Sequence, residues 1–315
     1  MNHPSRRPIL RRTHRLAVAA VLSLASVALA GCGSDSLSAN SGGSTSTGAG
    51  TTSSAVPATA DPALVAKLPA KIKSAGKIVI GTDATYAPNE FLDTDGKTVV
   101  GMDVDIFAAV AQQFGVTVEW QPSAFDAIIL GVKSGKYDLG ISSFTVNADR
   151  KKEVNMVSYF NAGTQWAVAK GNPKKVDPQN ACGANVAVQR GTVQLDDLSA
   201  RSKKCTAAGK PAINAIVEQG QDKVTADVVS GKADAMLADS PVGLYAVQQT
   251  GGQLEALGAV YDAAPYGIVV PKDQTDFAQA IADALKKTAA SGVYQAALAK
   301  WNNSSGATTD FAVNP

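Results

Sequence analysis

Residues 132–142 read VKSGKYDLGIS and residues 228–238 read VVSGKADAMLA. Ser134, Gly135, Lys136 and Asp138 of the first stretch recur as Ser230, Gly231, Lys232 and Asp234 of the second, at one constant offset. In each copy a helical apolar spacing runs into a Ser-Gly-Lys helix stop and then into a short apolar strand. Four identities among residues common at helix ends are compatible with coincidence. The strand-and-turn units upstream match as well, however: KIVIGT at 77–82 and NVAVQRGT at 185–192. The chain therefore reads as two similar α/β lobes.

The same reading extends to either side. DVDIFAAVAQQF (103–114) has helical spacing and VTVEW (116–120) reads as a strand. Strands alternating with helices predict βαβ units and a largely parallel sheet. Beyond Asp262 the chain returns to the first lobe, with a strand at YGIVV (266–270), an amphipathic stretch at 277–288 and a last helix at 291–301. Lobe 1 is expected to comprise 61–164 and 265–315, and lobe 2 to comprise 165–264. Two crossovers, near 161–166 and 262–265, would form a hinge. Ligands of such sheets bind beyond the carboxyl ends of the strands. Those ends are Thr82-Asp83, Ser142-Ser143, Arg190-Gly191-Thr192 and Ala238-Asp239, so two polar rims would converge on one cleft.

The N-terminus gives an address. Residues 1–15 carry five arginines and no acid, and 16–30 are apolar apart from Ser23 and Ser26. Fifteen apolar residues fall short of the roughly 20 of a membrane-spanning helix, so 1–31 reads as an export signal. The ending Leu29-Ala30-Gly31-Cys32 is similar to the lipobox of bacterial lipoproteins, which makes Cys32 the lipid-bearing first residue of the mature chain. A plainly cleaved signal with an incidental cysteine, or a short anchor helix, are the alternatives. Residues 33–60 hold no aromatic, no Lys or Arg and one acid. Residues 32–60 are thus expected to be a flexible tether, with a reach of roughly 30 Å.

Composition then narrows the chemistry. The full chain has 29 Lys+Arg and 27 Asp+Glu. With the signal removed the balance is mildly acidic, which argues against a nucleic-acid surface. Both histidines, His3 and His14, leave with the signal. Ser-His-Asp and Cys-His catalysis and His-based zinc sites are therefore excluded, and neither metal nor cofactor is expected. Cys182 and Cys205 remain as an even pair in an oxidising compartment, read as a disulfide, with two buried free thiols as the alternative.

The stretch GTDATYAPNEF…GKTVVGMDVDIFAAVAQQFG…AFDAIILGVKSGKYDLGISSFTVNADRKKEV resembles the bacterial extracellular solute-binding proteins of family 3, the substrate-binding lipoproteins of polar amino acid ABC importers. The likeness spans roughly 74–302 and is strongest over 81–160. It implies an α/β fold of the periplasmic-binding-protein type II, two lobes joined by two crossover strands. It also implies a site. Arg150 would hold the ligand's α-carboxylate, its planar fork being suited to bidentate capture, with Ser142, Ser143 and Thr145 supplying hydroxyl and backbone partners. Asp239 would take the α-ammonium, helped by Thr145, although a helix-capping role is the plainer reading of that aspartate. The turn at Gly191, Thr192 and Val193 would offer outward N–H groups at a helix start. Tyr86 and Phe125 would sandwich the ligand side chain, and Asp83 would accept from its polar or cationic end. Asn89 stands where relatives carry an aromatic or Met, and Gln189 where some carry Lys; the missing cation disfavours acidic ligands.

The implied function is capture of a polar amino acid by a lipid-held monomer at the extracytoplasmic face of the membrane, then delivery to an ABC permease. A dehydratase-like cleft enzyme, using carboxylates or Lys, is one alternative. A sensor acting through a partner protein is another.

Overall fold

The computed structural model describes residues 60–315. The expected signal at 1–31, the lipid on Cys32 and all of the tether but Ala60 lie outside the described residues. Eleven strands are found among those described: β1 (Lys77–Thr82), β2 (Thr85–Tyr86), β3 (Glu90–Leu92), β4 (Val99–Val100), β5 (Thr117–Pro122), β6 (Leu139–Gly140), β7 (Asn155–Ala169), β8 (Asn185–Gln189), β9 (Asn214–Glu218), β10 (Ala235–Asp239) and β11 (Leu254–Val270).

The duplicated sequence folds into a duplicated unit. β1 lies parallel between β5 and β6, and β8 lies parallel between β9 and β10. Helix Phe125–Lys133 connects β5 to β6, and helix Gln221–Val229 connects β9 to β10. The repeated residues explain the match. Ser134 and Ser230 close their helices by donating N–H bonds of 2.9 Å to Leu130 O and Ala226 O. Gly135 and Gly231 follow at φ +76° and +78°, a conformation that disfavours any side chain. Asp138 then donates its N–H to Val79 O and accepts the N–H of Val79 on its carboxylate, at 2.8 and 2.9 Å. Asp234 does the same to Asn185, with both distances 2.8 Å. In each lobe the motif aspartate pins the returning chain to the central strand. The lysines do not share a role: Lys232 bridges Glu218 and Asp227, whereas Lys136 lies over the Tyr137 ring.

The sheet departs from the sequence expectation in its connectivity. Eight strands form one mixed sheet in the order β5-β1-β6-β11-β7-β10-β8-β9, where the alternation of strands and helices predicts a largely parallel one. The segments read as crossovers are interior parts of β7 and β11, which run antiparallel to each other for 15 and 17 residues. Their register breaks between Leu257 and Tyr261 and again before Ala264. The apolar cores divide at the same level. Ala162 and Tyr266 belong to the cluster built around Ile80, Phe107 and Phe277, while Trp166 and Tyr261 pack with Val188 and Leu237.

Cys182 and Cys205 are joined as a disulfide, which ties the segment before β8 to helix Val193–Ala207. Among the described residues no helix is long and apolar enough to cross a membrane.

Candidate functional site

The carboxyl ends of β1, β6, β8 and β10 meet at a small cavity. It is lined by all ten residues that the sequence reading assigned to the ligand: Asp83, Tyr86, Phe125, Ser142, Ser143, Thr145, Arg150, Thr192, Val193 and Asp239. Gln189 and Gln194 complete the lining.

Arg150 lies on the short helix Ala148–Glu153, whose cap Asn147 accepts its N–H at 2.8 Å. Its guanidinium donates to Thr145 O (2.8 Å) and to Gly191 O (3.1 Å). It sits 5.5 and 5.3 Å from the ring centroids of Phe125 and Phe144, which stack on each other at 4.5 Å. These rings hold the cation by their π faces. Burial lowers the guanidinium pKa to about 10, so it stays charged at neutral pH.

Asp239 ends β10 and occupies the N-cap position of helix Ser240–Gln249, but its side chain makes no capping bond. The carboxylate turns into the cavity instead, accepting from Tyr86 Oη (2.9 Å) and Gln194 Nε2 (2.7 Å). Burial raises its pKa. Neither Arg150 nor Asp239 takes part in a salt bridge among the described residues. A cation and an anion thus face one cavity with their charges unpaired, an arrangement that costs stability until an opposite charge arrives.

On the second lobe, Thr192 caps helix Val193–Ala207: its hydroxyl accepts from Leu195 N and donates to Gln189 O. Val193 therefore stands in the first turn, where backbone N–H groups favour an anion. On the first lobe, Ser142 Oγ accepts the N–H of Asp83 (3.0 Å) and donates to Glu90 (3.0 Å). Ser143 adopts φ 51° and places its hydroxyl between Glu90 and Asp103.

Two buried carboxyls below the cavity escaped the sequence reading. Glu90 and Asp103 are almost wholly buried. Asp103 Oδ2 accepts from Tyr159 Oη at 2.6 Å, while its Oδ1 has no hydrogen-bond partner. Burial, reinforced by the neighbouring Asp103, pushes Glu90 well above the usual carboxylate range, and burial raises Asp103 to about 6. Burial thus biases Glu90 toward its protonated form, within the network that orients Ser142 and Ser143. Asn89 is also fully buried; it donates to Ser143 Oγ (2.9 Å) and does not line the cavity. Gln194 was readable only as the second residue of a predicted helix, and Glu90 carried no sequence signal.

Residues 78–304 match the family model described as bacterial extracellular solute-binding proteins, family 3. The chain is 34% identical over 254 residues to the arginine-binding protein of Corynebacterium glutamicum, covering 80% of this chain and 83% of that protein. Among solved structures it resembles an ancestral arginine-binding protein bound to arginine, with TM-score 0.67, 32% identity, and coverage of 72% of this chain and 98% of that one. It also resembles an ancestral amino acid-binding protein described as a precursor of cyclohexadienyl dehydratase, with TM-score 0.66, 29% identity, and coverage of 73% and 97%.

Proposed function

The chain belongs to the bacterial extracellular solute-binding proteins, family 3, and on that basis we propose that it captures a basic amino acid, L-arginine foremost, and delivers it to the permease of an ABC importer. Its curated relatives are named as binding proteins, not enzymes. The observation that carries the reading is the charge of the cavity wall, where Asp83 and Asp239 face a single cation, Arg150. A zwitterion leaves one buried negative charge unmatched. A ligand carrying one further positive charge neutralises the wall, as burial of charge demands.

In this reading Arg150 receives the α-carboxylate with the Ser142, Ser143 and Val193 donors around it, and Asp239 receives the α-ammonium beside Thr145. Tyr86 and Phe125 flank the aliphatic part of the side chain, and the negative field of Asp83 favours a cationic end. Lobe 1 (61–164 and 265–315) closes on lobe 2 (165–264) by bending β7 and β11 near their register breaks. Ligand favours closure only through groups from both lobes, and the lining meets that condition. The mature protein acts as a monomer held at the outer membrane face by lipid on Cys32, above a tether reaching to about residue 60.

A thermal-shift panel of the twenty amino acids with ornithine and citrulline tests the ligand. Arginine is expected to give the largest shift; about 100 Kd of ligand adds roughly 2.7 kcal/mol of stability. A largest shift with glutamate or aspartate, or none with any cation, overturns the assignment. Mass spectrometry of detergent-extracted protein tests the lipid.

A further inference from the structure

Asp83 was expected to serve the ligand's side chain, yet its bonds point elsewhere. Its Oδ1 accepts from Thr85 N (3.1 Å) and Thr85 Oγ1 (2.6 Å); its Oδ2 accepts from Phe125 N (3.0 Å) and Gln189 Nε2 (2.8 Å). A carboxylate has about four lone-pair sites, and four protein donors fill them. Three of those donors come from lobe 1, and the fourth, Gln189, comes from lobe 2.

Gln189 is built for that reach. It is 1% exposed at the end of β8, and its amide nitrogen also donates to Gln219 O at 3.1 Å, so both amide protons are spent. Two more bonds cross between the lobes beside it. Gln221 N donates to Thr85 Oγ1 (2.9 Å), and Gln219 Nε2 donates to Asp126 Oδ1 (3.0 Å). Gln221 opens helix Gln221–Val229, whose first-turn N–H groups have no partner within the helix. Closure thus satisfies a helix N-terminus in lobe 2 with a hydroxyl from lobe 1. Thr85, Gln219 and Gln221 lie outside the cavity lining.

We propose that Gln189 is a positioning residue that closes the cleft by bonding Asp83, with Thr85 and Gln221 as its second clasp, so that closure is driven in part by contacts the ligand never touches. The inference rests on the amino-acid-binding cleft proposed above. Cross-lobe bonds then fall into two sets. Tyr86 to Asp239 and Arg150 to Gly191 end on the side chains that receive the ligand's α-ammonium and α-carboxylate, whereas the bonds to Asp83, Thr85 and Asp126 join protein groups without either of those side chains. A ligand-independent clasp raises the closed fraction before binding and so raises apparent affinity for every ligand alike.

The test uses full-length protein carrying donor and acceptor dyes on the two lobes, with Gln189→Leu and Thr85→Val as variants. Thr85→Val keeps side-chain shape and removes only the hydroxyl. Without ligand, each variant is expected to move the interlobe distance distribution toward longer separations, the closed-to-open ratio falling about tenfold for Gln189→Leu, which loses a bond to a charged group, and about threefold for Thr85→Val, which loses a neutral one across the lobes. Dissociation measured by stopped flow should quicken by a similar factor for every amino acid that binds the parent. Unchanged distance distributions overturn the proposal. So does weakening confined to ligands with cationic side chains, which would place Gln189 on the ligand. If no amino acid binds the parent, the functional reading fails while the ligand-free distances still decide the clasp.

Discussion

Asp239→Asn separates binding from folding with opposite signs. The substitution keeps shape and removes the negative charge at the end of β10. Helix Ser240–Gln249 loses no cap, because Asp239 makes no capping bond. Tyr86 Oη already accepts the N–H of residue 239 at 3.2 Å and can rotate to accept from an amide nitrogen. The local cost to the ligand-free fold is therefore small. Removing a buried carboxylate that lacks a cation partner is favourable, so ligand-free thermal stability at pH 7 should be unchanged or higher. Binding should suffer heavily. Truncating one partner of a buried charge pair costs about 2–5 kcal/mol, or roughly 30- to 5000-fold in Kd. Calorimetric titration with arginine, beside a thermal melt of ligand-free protein, reads both effects. A Kd within about threefold of the parent would refute the ammonium assignment, and a large fall in ligand-free melting temperature would show that Asp239 serves the fold instead.

Three further outcomes follow from the same geometry. Arg150→Ala should abolish calorimetric binding of every amino acid, because the carboxylate loses its only cation in the cavity wall; retained affinity would move the site elsewhere. Reducing Cys182–Cys205 should lower unfolding free energy by about 3 kcal/mol in denaturant melts and leave ligand affinity intact, since the bridge lies outside the cavity. The Glu90–Asp103 pair makes stability fall with rising pH. Both folded-state pKa values are raised, so their contribution is complete below the unfolded carboxylate range and is lost as pH climbs through about 6, the value for Asp103. Melting temperatures from pH 5 to 8 should decline in the parent and decline less steeply in Asp103→Asn, whose amide cannot ionise; equal slopes would sink that account.

Much of the fold was legible because it depends on local rules written twice. A Ser-Gly pair can only end a helix in that setting, and the aspartate three residues after the glycine pins the next strand in both lobes. The strand ends therefore located the cleft before any coordinates. The two crossovers were legible at 161–166 and 262–265, but the length of the strands that contain them was not. Short stretches such as 161–166 carry no signal for lying inside a 15-residue strand, because long-range pairing between β7 and β11 makes them continuous. Gln189 shows a similar limit in the site. Its position was noticed as a departure from relatives, but its partner, Asp83, stands 106 residues away.

Residue order alone fixes the repeated unit, the cysteine pair, the absence of histidine after residue 14, and which side chains stand at strand ends. These are properties of residue type and near spacing. Long-range packing set how those side chains divide their hydrogen bonds: Asp239 turned away from its helix, Arg150 without a carboxylate, Asp83 filled by four protein donors, and Glu90 buried beside Asp103. Lone pairs and desolvation are settled by neighbours distant in the chain, so burial and pairing, more than residue identity, assign those roles.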